Sequence, residues 1–144
     1  MARFAALDHS ELSRPVPACP NWDVGALVDH VAWAQRYWAA VLLAPEGSTP
    51  AIEAIPRRPA GNDPVLWFND AGQHLQAALR HTPASKPITW QGTVRPASFV
   101  LRRTAHELAI HRWDAESALG QRHDLDPQLA IDGIEEYLDL WLPT

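Results

Sequence analysis

A single cysteine, Cys19, is all the sequence offers to redox chemistry, so no intrachain disulfide can form and a reducing compartment is expected. Basic residues are scarce as well: 12 lysines and arginines stand against 17 aspartates and glutamates, a formal charge of −5. With no basic surplus to displace counterions from phosphate, nucleic acid is excluded as a general partner. Long apolar runs are missing too. A membrane span needs ~20 such residues, and the most apolar stretch, Val31 to Ala44, is interrupted by Gln35 and Arg36. The opening MARFAALDHSELSRP lacks the apolar core of a secretory signal. These absences predict a cytoplasmic protein with no membrane partner. There is no internal repeat, low-complexity tract or linker, and 144 residues suit one domain, 1–144.

What the chain has in quantity is proline, thirteen in all, and tryptophan, seven. The prolines divide it. After Pro15, Pro17 and Pro20, a helix is expected from an Asp23 N-cap through Leu43, stopping before Pro45. A proline-rich loop leads to a second helix, Asp63 to His81, with Pro64 in its first turn. Thr82 to Arg95 is a loop whose ITWQGTV segment is β-prone and briefly extended. A third helix is expected from Pro96 to a Gly120 stop, and a fourth from Asp126 to Leu142. Ahead of the first proline cluster only about a dozen residues remain, with a turn at Asp8 to Ser13. The fold class is all-α, a small antiparallel helical bundle.

A helix advances ~100° per residue, so its faces can be computed. With Glu107 at zero, His111 falls at about +40°, Asp114 at about −20°, Arg103 at about −40° and Ile110 at about −60°. Arg102, Ala105, Ala109, Arg112 and Glu116 lie on the other side, the expected solvent face. Four polar or ionisable groups on an inward stripe are costly unless they pair or bind something. Ion pairs Arg103–Glu107 and His111–Asp114 are one solution. A metal site is the other. On the first helix, His30 is the single ionisable group in an apolar stripe of Ala26, Leu27, Trp33, Ala34, Tyr37 and Val41. Together His30, Glu107 and His111 provide two nitrogens and a carboxylate, a donor set of catalytic zinc with one position left open. The string His106-Glu-Leu-Ala-Ile-His111 is one residue too long for HExxH chemistry: its histidines diverge by about 140°. Cys19 sits between prolines as a packing residue. Trp22, Trp33 and Trp38 are core or pocket wall.

Val16-Pro-Ala-Cys-Pro-Asn-Trp-Asp-Val24 with Leu27-Val-Asp-His30 resembles the opening motif of the mycothiol-dependent maleylpyruvate isomerase family. Arg103-Thr-Ala-His-Glu-Leu-Ala-Ile-His-Arg-Trp-Asp-Ala-Glu116 resembles its second signature, and Asp132-Gly-Ile-Glu-Glu136 the segment that follows. The resemblance implies a DinB-like four-helix bundle in which His30, Glu107 and His111 hold a divalent metal, usually zinc. It also implies mycothiol as the cofactor thiol. Addition of that thiol to an electrophilic substrate would give cis–trans isomerisation, or S-transfer where the adduct persists. Beyond the resemblance, Asp114 is assigned to orient a ligand histidine or the thiol, and Arg103 to meet a substrate carboxylate. Family bundles open with a long first helix, so a shortened or missing first wall is expected here, and with it a homodimer to cover the groove. Many family members also carry a further C-terminal domain; if that domain helps hold the thiol, a chain ending at Thr144 is expected to bind metal yet be a poor catalyst. The alternatives are a non-catalytic metal-binding or interaction module, and a hydrolase using metal-bound water.

Overall fold

The computed structural model describes residues 4, 6–121 and 123–142. Four long helices carry the fold: α1 (Val24–Leu43), α2 (Pro64–His81), α3 (Ser98–Ala118) and α4 (Pro127–Trp141). Three of their starts follow the sequence closely. The Asp23 side chain accepts from the Ala26 N–H, Asp63 from Val65 and Leu66, and Asp126 from Gln128 and Leu129. Pro64 and Pro127 occupy first-turn positions where a missing N–H costs nothing. The end of α3 is a Schellman motif. Gly120, at φ 70°, donates to the Ser117 carbonyl and Gln121 to that of Glu116. Short 3₁₀ turns occupy His9–Glu11 and Ile52–Ala54, the first within the turn expected at Asp8 to Ser13. The expectation of a shortened or missing first helix falls largely on residues 1–3 and 5, which lie outside the described residues.

The fold is mostly helical, but all-α is not accurate. Pro87–Trp90 (β1) and Thr93–Pro96 (β2) form an antiparallel hairpin in the register Pro87↔Pro96, Trp90↔Thr93. Its two-residue turn, Gln91-Gly92, holds both residues at positive φ (48° and 74°), the geometry that matches strand twist. Because β2 uses Pro96, α3 begins at Ser98 instead of Pro96. Lys86 donates to the carbonyls of Leu42 and Ala44, tying the hairpin to the open end of α1.

α1 is the central rod. It packs on α2, on α3 and on β1, so its buried residues surround the axis: Val24, Leu27, Val28, Val31, Ala32 and Ala39 among them. One apolar cluster joins Phe4, Leu27, Val31 and Phe68, with the Phe4 and Phe68 rings 5.1 Å apart. The other gathers Trp38, Trp90 and Phe99. Each large side chain buried there contributes ~1.5–3 kcal/mol before ordering costs. α4 is a flanking helix that packs on α3. It corrects the expected solvent face of α3. Arg102 is half-buried against Asp132 and Glu116 is 3% exposed, while Ile110, expected inward, is exposed. Exposed apolar side chains concentrate on α4, at Ile131, Ile134, Tyr137 and Trp141. Among the described residues no helix is long and apolar enough to cross a membrane.

Candidate metal centre

His30 lies on the α1 surface that meets α3, and Glu107 and His111 stand one turn apart on α3. One donor atom from each of the three falls within 4.8 Å of the other two. Glu107 Oε1 is 3.4 Å from His30 Nε2 and 3.9 Å from His111 Nε2. Ligands ~2.0–2.2 Å from a tetrahedral ion are themselves roughly 3.4 Å apart. The two separations from Glu107 are near that figure, and the 4.8 Å within which all three donors fall is wider than it. The His30 and His111 rings meet edge to face at 5.1 Å, and Trp22 tilts over His30 at 5.0 Å. Trp22 is held there by the proline-rich turn, whose Val16 N–H donates to the Trp22 carbonyl and whose Trp22 N–H donates to Cys19.

Both ion pairs weighed against a metal site are also present, and they leave the donor atoms free. Arg103 donates to Glu107 Oε2 at 3.0 Å, so Oε1 is the oxygen turned to the histidines. Asp114, 5% exposed, pairs with His111 through Nδ1 at 3.0 Å and leaves Nε2 facing Glu107. Ion-pair core and metal site are thus compatible, because each side chain has two polar atoms and uses one for each purpose. Burial pushes the Glu107 carboxyl up, but the hydrogen bond from His30 and the charges of Arg103 and His111 outweigh it. The net effect is a carboxyl below its ordinary range, hence an anion suited to a cation.

Arg103 is paired on two sides. Its second terminal nitrogen donates to Glu136 of α4 at 2.9 Å, and Glu136 is 3% exposed. His106 points away from the trio, as its helical angle requires, and pairs with Asp132 at 2.7 Å. Cys19 is a half-buried free thiol. Burial first, and then the Asp114 charge, push its pKa up, so it is no thiolate at neutral pH.

Two clefts open beside the trio. One of about 470 Å³ runs between α3 and α4, with Glu107 and His111 in its wall. The other, of about 330 Å³, is lined by His30, Trp22, Trp33, Asp29, Arg57 and Arg58. Arg58 is clamped on Asp29, and Arg57 lies 4.8 Å over the Trp33 ring. Asp132, Glu136, Arg57 and Arg58 were not singled out by helical faces. Asp132 and Glu136, four apart on α4 and opposite the Arg102-Arg103 pair, carried the one readable signal.

The sequence profile of the mycothiol maleylpyruvate isomerase N-terminal domain matches residues 1–116. Two uncharacterized proteins from different strains of Mycobacterium tuberculosis are each 30% identical over 137 residues, covering 91% of this chain and 67% of theirs. No solved structure gives a significant match. The matched span holds all of the trio, with His30 and Glu107–His111 in their expected helices. The chain belongs to the family of the mycothiol maleylpyruvate isomerase N-terminal domain.

Proposed function

We propose that the protein is a divalent-metal-dependent enzyme that activates mycothiol for addition to an electrophile. The supporting observation is the convergence of His30, Glu107 and His111 from two helices with a cleft on either side. Two imidazoles and a carboxylate favour zinc among the common divalent ions. Bound together, ion and thiol supply a thiolate at neutral pH, whose reversible addition to an electron-poor double bond permits cis–trans isomerisation, or S-transfer where the adduct is retained.

The chain's own residues prepare that site. Asp114 holds the His111 Nδ1 proton and so presents Nε2 as the donor. Arg103 fixes Glu107 by one oxygen and leaves the other for the cation. Trp22 covers His30 and limits its ring motion.

Elemental analysis of protein purified without added metal tests the centre. One divalent ion per chain is expected, and a His30→Ala protein that keeps it removes the proposal. Loaded protein given mycothiol and maleylpyruvate should form fumarylpyruvate if it is an isomerase. Adduct formation with another electrophile would identify an S-transferase. Metal without either activity supports the second reading, a metal-binding bundle that does not turn over. A homodimer belongs to the proposal as well, on the strength of the exposed Ile131 and Leu138 of α4, which lie outside both clefts. Light scattering that gives a monomer at all concentrations removes that part.

A further inference from the structure

We infer that the proline-rich segment between α1 and α2 is a hinged strap across the His30 side of the centre, and that the Arg58–Asp29 pair is the latch that keeps it shut. The inference rests on the reading of the adjoining trio as the reacting centre and concerns how that centre is reached. From Pro45 to Asn62 only Ile55 is buried. Among the described residues the segment's backbone hydrogen bonds all close within it: Ser48 to Pro45, Ala54 to Ala51, Ile55 to Ile52 and Asn62 to Pro59. Side chains fasten it to the body instead. Thr49 donates to the Thr89 carbonyl, Arg57 lies over the Trp33 ring, and Arg58 is bidentate on Asp29 at 2.6 and 2.8 Å. A segment with one buried side chain and no backbone ladder to its surroundings opens at far less cost than global unfolding.

The strap is stiff in the middle and can bend at its ends. Pro50, Pro56 and Pro59 fix φ through its length. Gly47 and Gly61 sit at φ 78° and 85°, with nothing within 4 Å of where a Cβ would stand. Such positions absorb a change of φ and ψ without a clash. The middle carries Arg57 and Arg58 into the wall of the cleft that holds His30, so swinging it outward widens that cleft. The cleft between α3 and α4 has no residue of the strap in its wall. A divalent ion at the trio does not reverse this. Its charge repels Arg58 and attracts Asp29 at once, and the pair as a whole is neutral. The side chains of the pair are 25% and 34% exposed, and an ion pair so placed is weak enough to break and re-form.

Relaxation dispersion on the full chain, after metal removal, tests the motion. The amides of Gly47, Ile55 and Gly61 should share one exchange rate on the microsecond-to-millisecond scale while those of α1 and α2 stay flat. Access is read with diethyl pyrocarbonate, each histidine being followed by mass spectrometry. Arg58→Met should speed modification of His30 about fivefold and leave His111 unchanged. Arg58→Lys keeps the charge without the bidentate geometry, and its rate should fall between. A segment without exchange, a His30 rate that Arg58→Met does not raise, or equal acceleration of His30 and His111 overturns the inference. The last of these would be general loosening, so His111 is the control for misfolding. Neither measurement needs a bound ion, and failure of the centre is therefore told apart from failure of the strap.

Discussion

Glu107 shows how much one side chain carries in a small bundle. One oxygen faces His30 and His111 and the other is held by Arg103, which reaches on to Glu136. Helical angles were enough to find the trio, because each ligand's direction depends on its own helix alone. Glu136 was not legible as a partner, since its meaning depends on how α4 is set against α3 and no periodicity states that. Asp114→Ala removes the acceptor that fixes the His111 ring, and metal affinity should fall ~10–100-fold in a competition titration. Unchanged affinity would deny Asp114 that role. Arg103→Met strands the buried Glu136 charge and should cost about 3 kcal/mol in urea unfolding. Adding Glu136→Leu should restore much of the loss, which a purely substrate-binding arginine would not do.

At the level of elements, proline and aspartate made three helix starts readable, whereas the start of α3 was misplaced because its first expected residue, Pro96, belongs to the hairpin. The solvent face assigned to α3 failed for a related reason: a face computed from one helix cannot know that another lies across it. That covering helix approaches closely at Gly133, where an added Cβ would stand 3.2 Å from His106 Nδ1. Glycine costs ~1 kcal/mol against alanine within a helix, and close approach is what it permits here. Gly133→Leu should push α4 off α3, seen as lost hydrogen-exchange protection confined to Pro127–Trp141. Asp132 fastens the same junction. The hydrogen bond from Arg102 holds its carboxyl below the usual range, opposed by some desolvation and helped by His106. A depressed carboxylate stabilises above its unfolded pKa of about 3.9 and ceases to do so as pH falls through the lower folded value. The amide shifts of α4 should therefore move in acid below about pH 4, and Asp132→Asn should show the displaced positions already at neutral pH.

For the whole molecule, the candidate ion bridges the central rod to α3, so its binding is expressed as stability. Saturation at 100 times Kd adds ~2.7 kcal/mol, which raises the melting temperature by ~5–10 °C for a chain of this size. Calorimetry with and without chelator measures it, and His30→Ala should abolish the difference. The overall architecture was legible as a helical bundle, but not the fact that three helices form the interior while the fourth clings to one flank. That arrangement sets up a see-saw. Glu107 is the pivot between the rod on one side and, through Arg103, the flanking helix on the other. Whatever factor an occupant wedged between α3 and α4 imposes on cation affinity, the cation must impose on the occupant's. Filling either seat is then a message to the other.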